Sequence, residues 1–349
     1  MNGYMIYGAN GYTGQLIARE AAKRGQRPIL AGRNAESVAA TAKPFGFETR
    51  AFGLDDVAAV ANGLAGVSAV IHCAGPFAHT SKAMADACLR AKVHYLDITG
   101  EVSVFEALAA RDAEAKSAGV MLLPGAGFDV VPSDCLAAHL KRRLPTATKL
   151  TLAFQLLGQV SRGTANTVVE NLHRGGLVRQ GGILTPVPAA WHTRSIDFGQ
   201  GPVTTVSFPW GDVSTAYYST GIPNIEVFAA TPPSVRRLAR ASRYIGWLLA
   251  SGPVQRFLKS RIKAGPAGPT DQERQAGISL LWGEVADGNG RTATARMQGP
   301  EGYTLTALTA LAAVEKVLAG HAPAGFQTPS RAYGADFVLE VPGVQRNDL

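Results

Sequence analysis

The sequence predicts an α/β protein, with a doubly wound parallel sheet at the N-terminus followed by an α+β domain. Three observations predict it. Short apolar runs alternate with helix-length amphipathic segments from Gly3 to Leu123. A glycine-spaced turn joins the first run to the first helix. After Pro124 the pattern changes to longer runs with polar alternation.

The apolar runs, in order, are YMIYG, PILAG, ETRAFG, AVIHCAG, HYLDIT and VMLLPG. Between them, helices are expected at 13–24, 35–43, 56–64, 81–91 and 104–117. Strand–helix alternation at this pitch builds βαβ units with right-handed crossovers. These six runs complete a Rossmann sheet of the dinucleotide-binding type. PGAGFDVVPSDCLAAHLKRRL then reads as a tight loop feeding a helix that leaves the first domain. SLLWGEVADGNGRTATARMQG reads as a hairpin turning at Asp287-Gly288-Asn289-Gly290. GYTLTALTALAAVEKVL, from Gly302 to Leu318, is a helix, and KAGPAGPTDQE an exposed loop. The expected partition is 1–130 for the nucleotide domain and 131–320 for a second, substrate domain. The Pro/Gly-rich tail, 321–349, reads as an irregular extension.

A chain of 349 residues that is 46% hydrophobic buries a large core, in about two domains. Its three cysteines, Cys73, Cys88 and Cys135, match neither a metal site nor a disulfide framework. They fit a reducing, cytoplasmic setting. The chain runs straight into an apolar strand without the basic and long apolar regions of a signal peptide. No window approaches the ~20 apolar residues of a membrane span. The net charge of +8 is uneven, because Thr231 to Lys263 holds eight Lys/Arg and no acid. That stretch reads as two helices, either packed on their own domain or offering a surface to an anionic partner. A peripheral membrane contact or an acidic carrier protein, met by Arg236 to Lys263, would suit it. The aromatics are not interleaved with the basic residues and no nucleic-acid motif is present, so nucleic acid is not expected.

The turn GANGYTG ends the first strand and opens the first helix, the context a phosphate loop requires. Gly8 permits the tight turn, Gly11 lets the backbone approach a pyrophosphate, and Gly14 lets helix and strand lie close. Asn10, Tyr12 and Thr13 complete the loop, with Thr13 placed to cap the helix or donate to a phosphate. An NAD site ends its second strand with an acid; here the strand ends LAGRNAES, with Arg33 and Asn34 at the tip. A guanidinium suits a phosphate dianion, so the cofactor is read as NADP(H). Leu54 and Asp55 at the third strand end would meet the adenine. Ala74, Gly75 and Pro76 at the fourth would let the nicotinamide ribose lie against the backbone.

Hydride transfer also needs a proton donor near the strand ends. Asp97, Asp129 and Tyr95 are the candidates, with His94, Glu101 and Ser133 nearby. Each has a structural alternative: Tyr95 and His94 as packed residues, Asp97 and Asp129 as acceptors for backbone N–H groups, Asp134 as a helix cap. Cys73 adjoins the cofactor loop without a group to activate its thiol. In the second domain Thr164 and Asn166 stand at a helix start, where they could bind an anion or cap. His173, Tyr217 and Tyr218 receive no place.

The chain resembles the saccharopine dehydrogenase-like family, in the branch that includes the trans-acting enoyl reductases of lipid biosynthesis. The resemblance rests on YGANGYTG, AGR at 31–33, CAGPF, YLDITGE and GAGFDVVPSD. It continues through GTANTVVE, STGIPNIEVF, GPEGYTLTAL and GFQTPSRAYGADFV, nearly the whole chain. It implies a Rossmann domain, a C-terminal domain whose sheet often forms a homodimer, and a chain end returning to the first domain. The loop 127–132 departs from the GLDPG-type loop of the amino-acid-metabolising members, which weakens a saccharopine reading. Three functions follow as expectations. The first is an NADP(H)-dependent oxidoreductase acting on a small molecule such as an enoyl or acyl group. The second is a saccharopine-like imine or amino-acid reductase. The third is a non-catalytic NADP-binding, membrane-associated scaffold.

Overall fold

A computed structural model describes residues 3–156, 161–171 and 175–349. The chain divides into two compact units, Met1–Val131 with Tyr303–Gly334, and Pro132–Gly302 with Ala335–Leu349.

The first unit opens with β1 (Gly3–Tyr7), α1 (Tyr12–Lys23), β2 (Ile29–Gly32), α2 (Ala35–Ala42), β3 (Thr49–Ala51) and α3 (Val57–Gly63). It continues with β4 (Val67–His72), α4 (Phe77–Ala91), β5 (His94–Asp97), α5 (Val102–Ala109), α6 (Asp112–Ala118) and β6 (Met121–Leu123). These strands are all parallel, in the order β3-β2-β1-β4-β5-β6. The chain winds outward from β1 to β3, then crosses to β4, so the strand order reverses between β1 and β4. Such a reversal is where open α/β sheets bind ligands, at the carboxyl ends of the strands. Parallel strands covered on both faces read as continuous apolar runs. Met5, Ile6, Leu30, Val70, Ile71, Leu96 and Leu122 are accordingly fully buried.

Two element boundaries differ from expectation. The segment expected as one helix over 104–117 is two, separated where Arg111 leaves helical geometry at φ −99, ψ 12. Helix α4 starts at Phe77 rather than Ser81 because a distant carboxylate caps it. Glu101 Oε1 and Oε2 accept the Phe77 and Ala78 N–H groups at 2.8 and 2.9 Å. A cap supplied from 24 residues away leaves no local signature.

The second unit holds α7 (Val131–Arg143), β7 (Lys149–Leu156), α8 (Arg162–Asn171), β8 (Gly176–Gln180), β9 (Ile183–Val187), β10 (Thr193–Asp197) and β11 (Pro202–Ser207). Then come α9 (Asp212–Thr220), β12 (Asn224–Ala230), α10 (Pro233–Leu249), α11 (Gly252–Ala264), α12 (Asp271–Ala276), β13 (Ile278–Ala286) and β14 (Thr292–Pro300). The chain returns to the first unit through α13 (Gly302–Leu318), β15 (Gly325–Phe326) and α14 (Pro329–Tyr333), and ends in the second with β16 (Gln345–Asp348). The second unit's mixed sheet runs β10-β11-β12-β7-β13-β14-β16, with β8 and β9 branching from β12. Ala153, Ile196, Phe198, Phe228, Leu280 and Trp282 form a buried cluster on it. The β13–β14 hairpin turns where expected, with Asp287 Oδ1 accepting the Asn289 and Arg291 N–H groups at 2.9 and 3.0 Å.

The partition of the C-terminal third corrects the expected boundaries. Helix α13, assigned from sequence to the second domain, packs in the first unit. It buries Leu305, Leu311 and Val314 there. Thr309 Oγ1 donates to Ala126 O at 2.8 Å, and Thr306 Oγ1 accepts the Phe128 N–H at 3.0 Å. The tail does not return as one piece. Strand β15 adds a seventh parallel strand beside β6, whereas β16 pairs antiparallel with β14. An amphipathic pattern shows that a helix buries a face, and is silent on which core receives it. Among the described residues no helix is long and apolar enough to cross a membrane, and no group of His, Cys, Asp or Glu could hold a metal.

Candidate functional site

The turn between β1 and α1 is shaped by three missing side chains. Gly8 sits at φ +80, in the left-handed region that favours glycine. A Cβ there would lie 2.8 Å from Ala74 N and 2.9 Å from Cys73 C. The turn therefore rests directly on the loop after β4, at the reversal of strand order. A Cβ on Gly14 would meet Gly8 O at 2.5 Å and the Ala9 Cα at 2.8 Å, so helix and strand are in backbone contact. Gly11 is the N-cap of α1, and no side chain caps the helix. Its N–H donates to Gly8 O at 3.0 Å and closes the turn.

Those features test whether a dinucleotide suits the residues present, and they fit it. The glycines clear backbone for a pyrophosphate, and an uncapped helix start presents donors and positive potential to an anion. Thr13 lies inside the first turn and does not cap the helix, contrary to one of its expected roles. Asn10 Nδ2 donates to Ser37 Oγ at 3.1 Å, and the Asn10 backbone carbonyl accepts a hydrogen bond from Gln15 Nε2 at 3.0 Å. Tyr12 packs edge-on against Tyr303 of α13, ring centroids 5.1 Å apart. Tyr303 was not singled out by sequence, since nothing local ties it to a turn almost three hundred residues earlier.

Arg33 follows β2 directly, is exposed, and has no ion-pair partner among the described residues. Asn34 is the N-cap of α2, its side chain accepting the Ser37 N–H at 2.8 Å. Its carbonyl oxygen is thereby committed, leaving only its amide donors for a ligand. Asp55 is exposed beside Gly53. Ala74, Gly75 and Pro76 form the half-exposed loop leading into α4.

Behind that loop lies His72, fully buried and not singled out by sequence. Thr80 Oγ1 donates to Ala74 O at 2.7 Å and so takes its own hydrogen bond from His72 Nε2, at 3.0 Å. That assignment puts the ring proton on Nε2 and leaves Nδ1 without a partner. Burial pushes the imidazole down to about 3, so it stays neutral and braces the loop. A lone polar residue inside the run AVIHCAG was the available signal.

The proton-donor candidates separate. Asp97 is fully buried and saturated: Oδ2 accepts the Tyr95 hydroxyl at 2.5 Å, and Oδ1 the N–H groups of Thr99 and Gly125 at 2.9 and 2.8 Å. Burial raises its carboxyl to about 6 against these bonds. Its bonds tie the loop after β5 to the loop after β6. Tyr95 is fully buried, its hydroxyl committed to Asp97, and burial drives its ionisation far upward. Glu101 is spent on the start of α4, and His94 Nδ1 accepts the Met121 N–H at 3.0 Å.

Asp129 differs. It is half-buried, and its carboxylate has no hydrogen-bond or ion-pair partner among the described residues. Gly100 makes room for it, since a Cβ there would lie 2.8 Å from Oδ2. Burial pushes the carboxyl up to about 7. Asp97 and Asp129 thus lie on neighbouring loops at the carboxyl ends of β5 and β6, the first as a brace and the second as a titratable group with reach.

The remaining candidates fall into structural positions. Burial raises the Cys73 and Cys88 thiols, and Cys73 Sγ donates to Ile71 O at 3.8 Å. Ser133 is buried, and Asp134 lies within α7, where it accepts the Ser219 hydroxyl. Ser161 Oγ accepts the Thr164 N–H at 3.3 Å at the start of α8. The Asn166 side-chain oxygen is buried without a partner among the described residues. Tyr217 carries the Arg179 guanidinium over its ring at 4.2 Å, with Tyr218 edge-on beside it. His173 lies outside the described residues.

Residues 4–123 match the family model described as saccharopine dehydrogenase NADP binding domain. A trans-acting enoyl reductase of Mycobacterium tuberculosis is 28% identical over 153 residues, covering 40% of this chain and 35% of that protein. A saccharopine dehydrogenase-like oxidoreductase of Arabidopsis thaliana is 28% identical over 147 residues, covering 37% of this chain and 32% of its own length. The matched stretch thus spans about a third of these relatives. Among solved structures, an apo saccharopine dehydrogenase (L-Glu forming) from Saccharomyces cerevisiae superposes over the whole of both chains, with TM-score 0.67 and 12% identity. That match carries the fold: a seven-strand parallel Rossmann sheet plus a mixed-sheet domain.

Proposed function

We propose that the chain, whose residues 4–123 match the saccharopine dehydrogenase NADP binding domain, is an NADP(H)-dependent oxidoreductase whose acceptor is an α,β-unsaturated acyl group. The observation that carries the cofactor choice is Arg33. It stands at the tip of β2 without an ion-pair partner among the described residues, where an acid would select NAD. The guanidinium would hold the 2′-phosphate, and Gly8, Gly11 and the first turn of α1 would hold the pyrophosphate. Ala74, Gly75 and Pro76 would leave room for the nicotinamide ribose.

NADPH, when bound, supplies a hydride. The protein's part is to orient the acceptor, exclude water and deliver one proton. Hydride to the β-carbon and a proton to the α-carbon together saturate the double bond. Asp129 is the donor, because a carboxyl raised to about 7 is substantially protonated at neutral pH and has no competing bond among the described residues. Asp97 fixes the backbone on which Asp129 stands. The acyl character of the acceptor is supported by the names of the enoyl reductase relatives.

Fluorescence titration of NADPH and NADH against the wild type and Arg33→Ala tests the cofactor assignment. Removing a charge-assisted phosphate contact costs about 1.5–3 kcal/mol, so NADPH affinity falls roughly 10- to 100-fold and NADH affinity stays. An unchanged preference would sink the phosphate role. Oxidation of NADPH by a 2-enoyl thioester, and not by an imine, tests the acceptor.

A further inference from the structure

Helices α10 and α11 are unusual among the elements of the second unit. A surface helix normally buries an apolar stripe in its own domain. Across its 17 residues α10 buries only Ser242, and α11 buries none of its 13. Tyr244, Trp247 and Phe257 stand 82%, 77% and 62% exposed, with Val235, Leu238 and Leu248 also exposed. Helix α10 kinks at Ile245 (φ −112, ψ 15), just before Trp247. Gln255 Nε2 then bonds Leu249 O at 2.8 Å and Val169 O at 3.0 Å, joining the end of α10 to α11 and fixing both to the unit. The apolar and aromatic groups are thus held outward by a braced helix pair.

The same segment carries eight Lys/Arg and no acid. Arg236, Arg240 and Arg243 donate to Thr231 O, Thr193 Oγ1 and the carbonyls of Ala189 and Ala190. Those bonds orient the guanidiniums but leave the charges uncompensated. Among the described residues none of Arg236, Arg237, Arg240 and Arg243 pairs with a carboxylate.

We propose that α10 and α11 dock the protein on an anionic lipid bilayer surface, lying in the interface rather than crossing it. Charge complementarity selects an anionic partner, and the exposed aromatics select a bilayer over a folded acidic protein. Tyr and Trp favour the headgroup level, where one end of the ring is apolar and the other wet. Basic residues nearby bind the negative surface potential. A helix of this length spans about 26 Å along the surface, enough to seat the kink and both aromatics.

The test is co-sedimentation of the whole protein with phosphatidylcholine vesicles, with and without phosphatidylglycerol, at low and high salt. Binding is expected only with phosphatidylglycerol, accompanied by a blue shift of tryptophan emission that Trp247→Ser removes. Arg237→Gln with Arg261→Gln should weaken binding about fivefold per charge removed, and high salt should weaken it further. NADPH affinity serves as the folding control and stays unchanged in every variant, so failure here is distinguishable from failure of the cofactor reading. Equal binding to neutral vesicles would overturn the proposal. So would a dimer that Trp247→Ser splits without any vesicle binding, or capture of an acidic carrier protein in place of vesicles.

Discussion

At the scale of single residues, the two aspartates after β5 and β6 show how environment divides labour between like groups. Asp97 spends its oxygens on Tyr95, Thr99 and Gly125, whereas Asp129 spends none among the described residues. The Asp129 carboxyl, raised by burial to about 7, is protonated below that pH and loses its proton above it. As a general acid it therefore loses activity as pH rises. We predict that kcat/KM for NADPH-dependent reduction falls tenfold per pH unit above about 7, and that Asp129→Asn removes this limb along with ~10²–10⁴ of the rate. Stability carries the same sign. A carboxyl raised in the fold favours folding below the unfolded value near 4 and loses that contribution as pH rises through about 7. Thermal melts of Asp129→Asn should accordingly be flatter from pH 5 to 8. Sequence brought both aspartates to the strand ends but could not rank them, since hydrogen-bond saturation is decided by backbone groups that neighbouring loops supply. His72 escaped notice for a related reason: burial neutralises it, and burial is a property of the neighbours.

At the scale of elements, the packing of α1 on β1 depends on a backbone contact that tolerates no side chain. Replacing Gly14 by alanine places a methyl 2.5 Å from Gly8 O, a carbonyl that cannot swing aside like a flexible side chain. The helix must move outward, and the pyrophosphate donors move with it. We expect Gly14→Ala to destabilise the protein by about 1–3 kcal/mol and to weaken NADPH binding beyond that loss, measured by chemical denaturation and titration in parallel. Glycine spacing made this contact legible because no other residue satisfies it. The start of α4 was not legible. Its cap, Glu101, lies in the loop after the next strand, and the local sequence offers only Pro76. Glu101→Gln keeps one acceptor and loses the charge at the helix start. It should cost about 0.5–1.5 kcal/mol, read as a lower Tm with little change in NADPH affinity if the loop of Ala74 to Pro76 holds.

At the scale of the whole chain, the sequence pattern indicates the class of both units, but α13 lies in the first unit and residues 335–349 in the second, against expectation. Strand–helix alternation is a local signal, whereas the home of α13 and of the tail depends on partners tens to hundreds of residues away. The last fifteen residues make the point. Asp336 is held down to about 2 by Arg142 and Arg346, and Asp348 is held low by His139. Strand β16 closes the edge of the sheet against β14. A carboxylate depressed in the fold contributes stability above its unfolded value near 4, and that contribution is lost as pH falls toward the folded value. Removing residues 335–349 deletes these bonds and uncovers β14 as an edge. Exposed ion pairs are worth little each, and the edge strand supplies roughly a kcal/mol per hydrogen bond. The truncated chain should therefore melt about 4–8 °C lower at neutral pH, for a loss of about 2 kcal/mol. The gap from the full chain should narrow as pH drops from 5 toward 2, because protonated Asp336 and Asp348 no longer favour the intact tail. Since every residue assigned to NADPH lies in the first unit, titration below the melting range should find the affinity retained. A truncated protein that melts like the full chain at every pH would show that the tail is a passenger on the sheet.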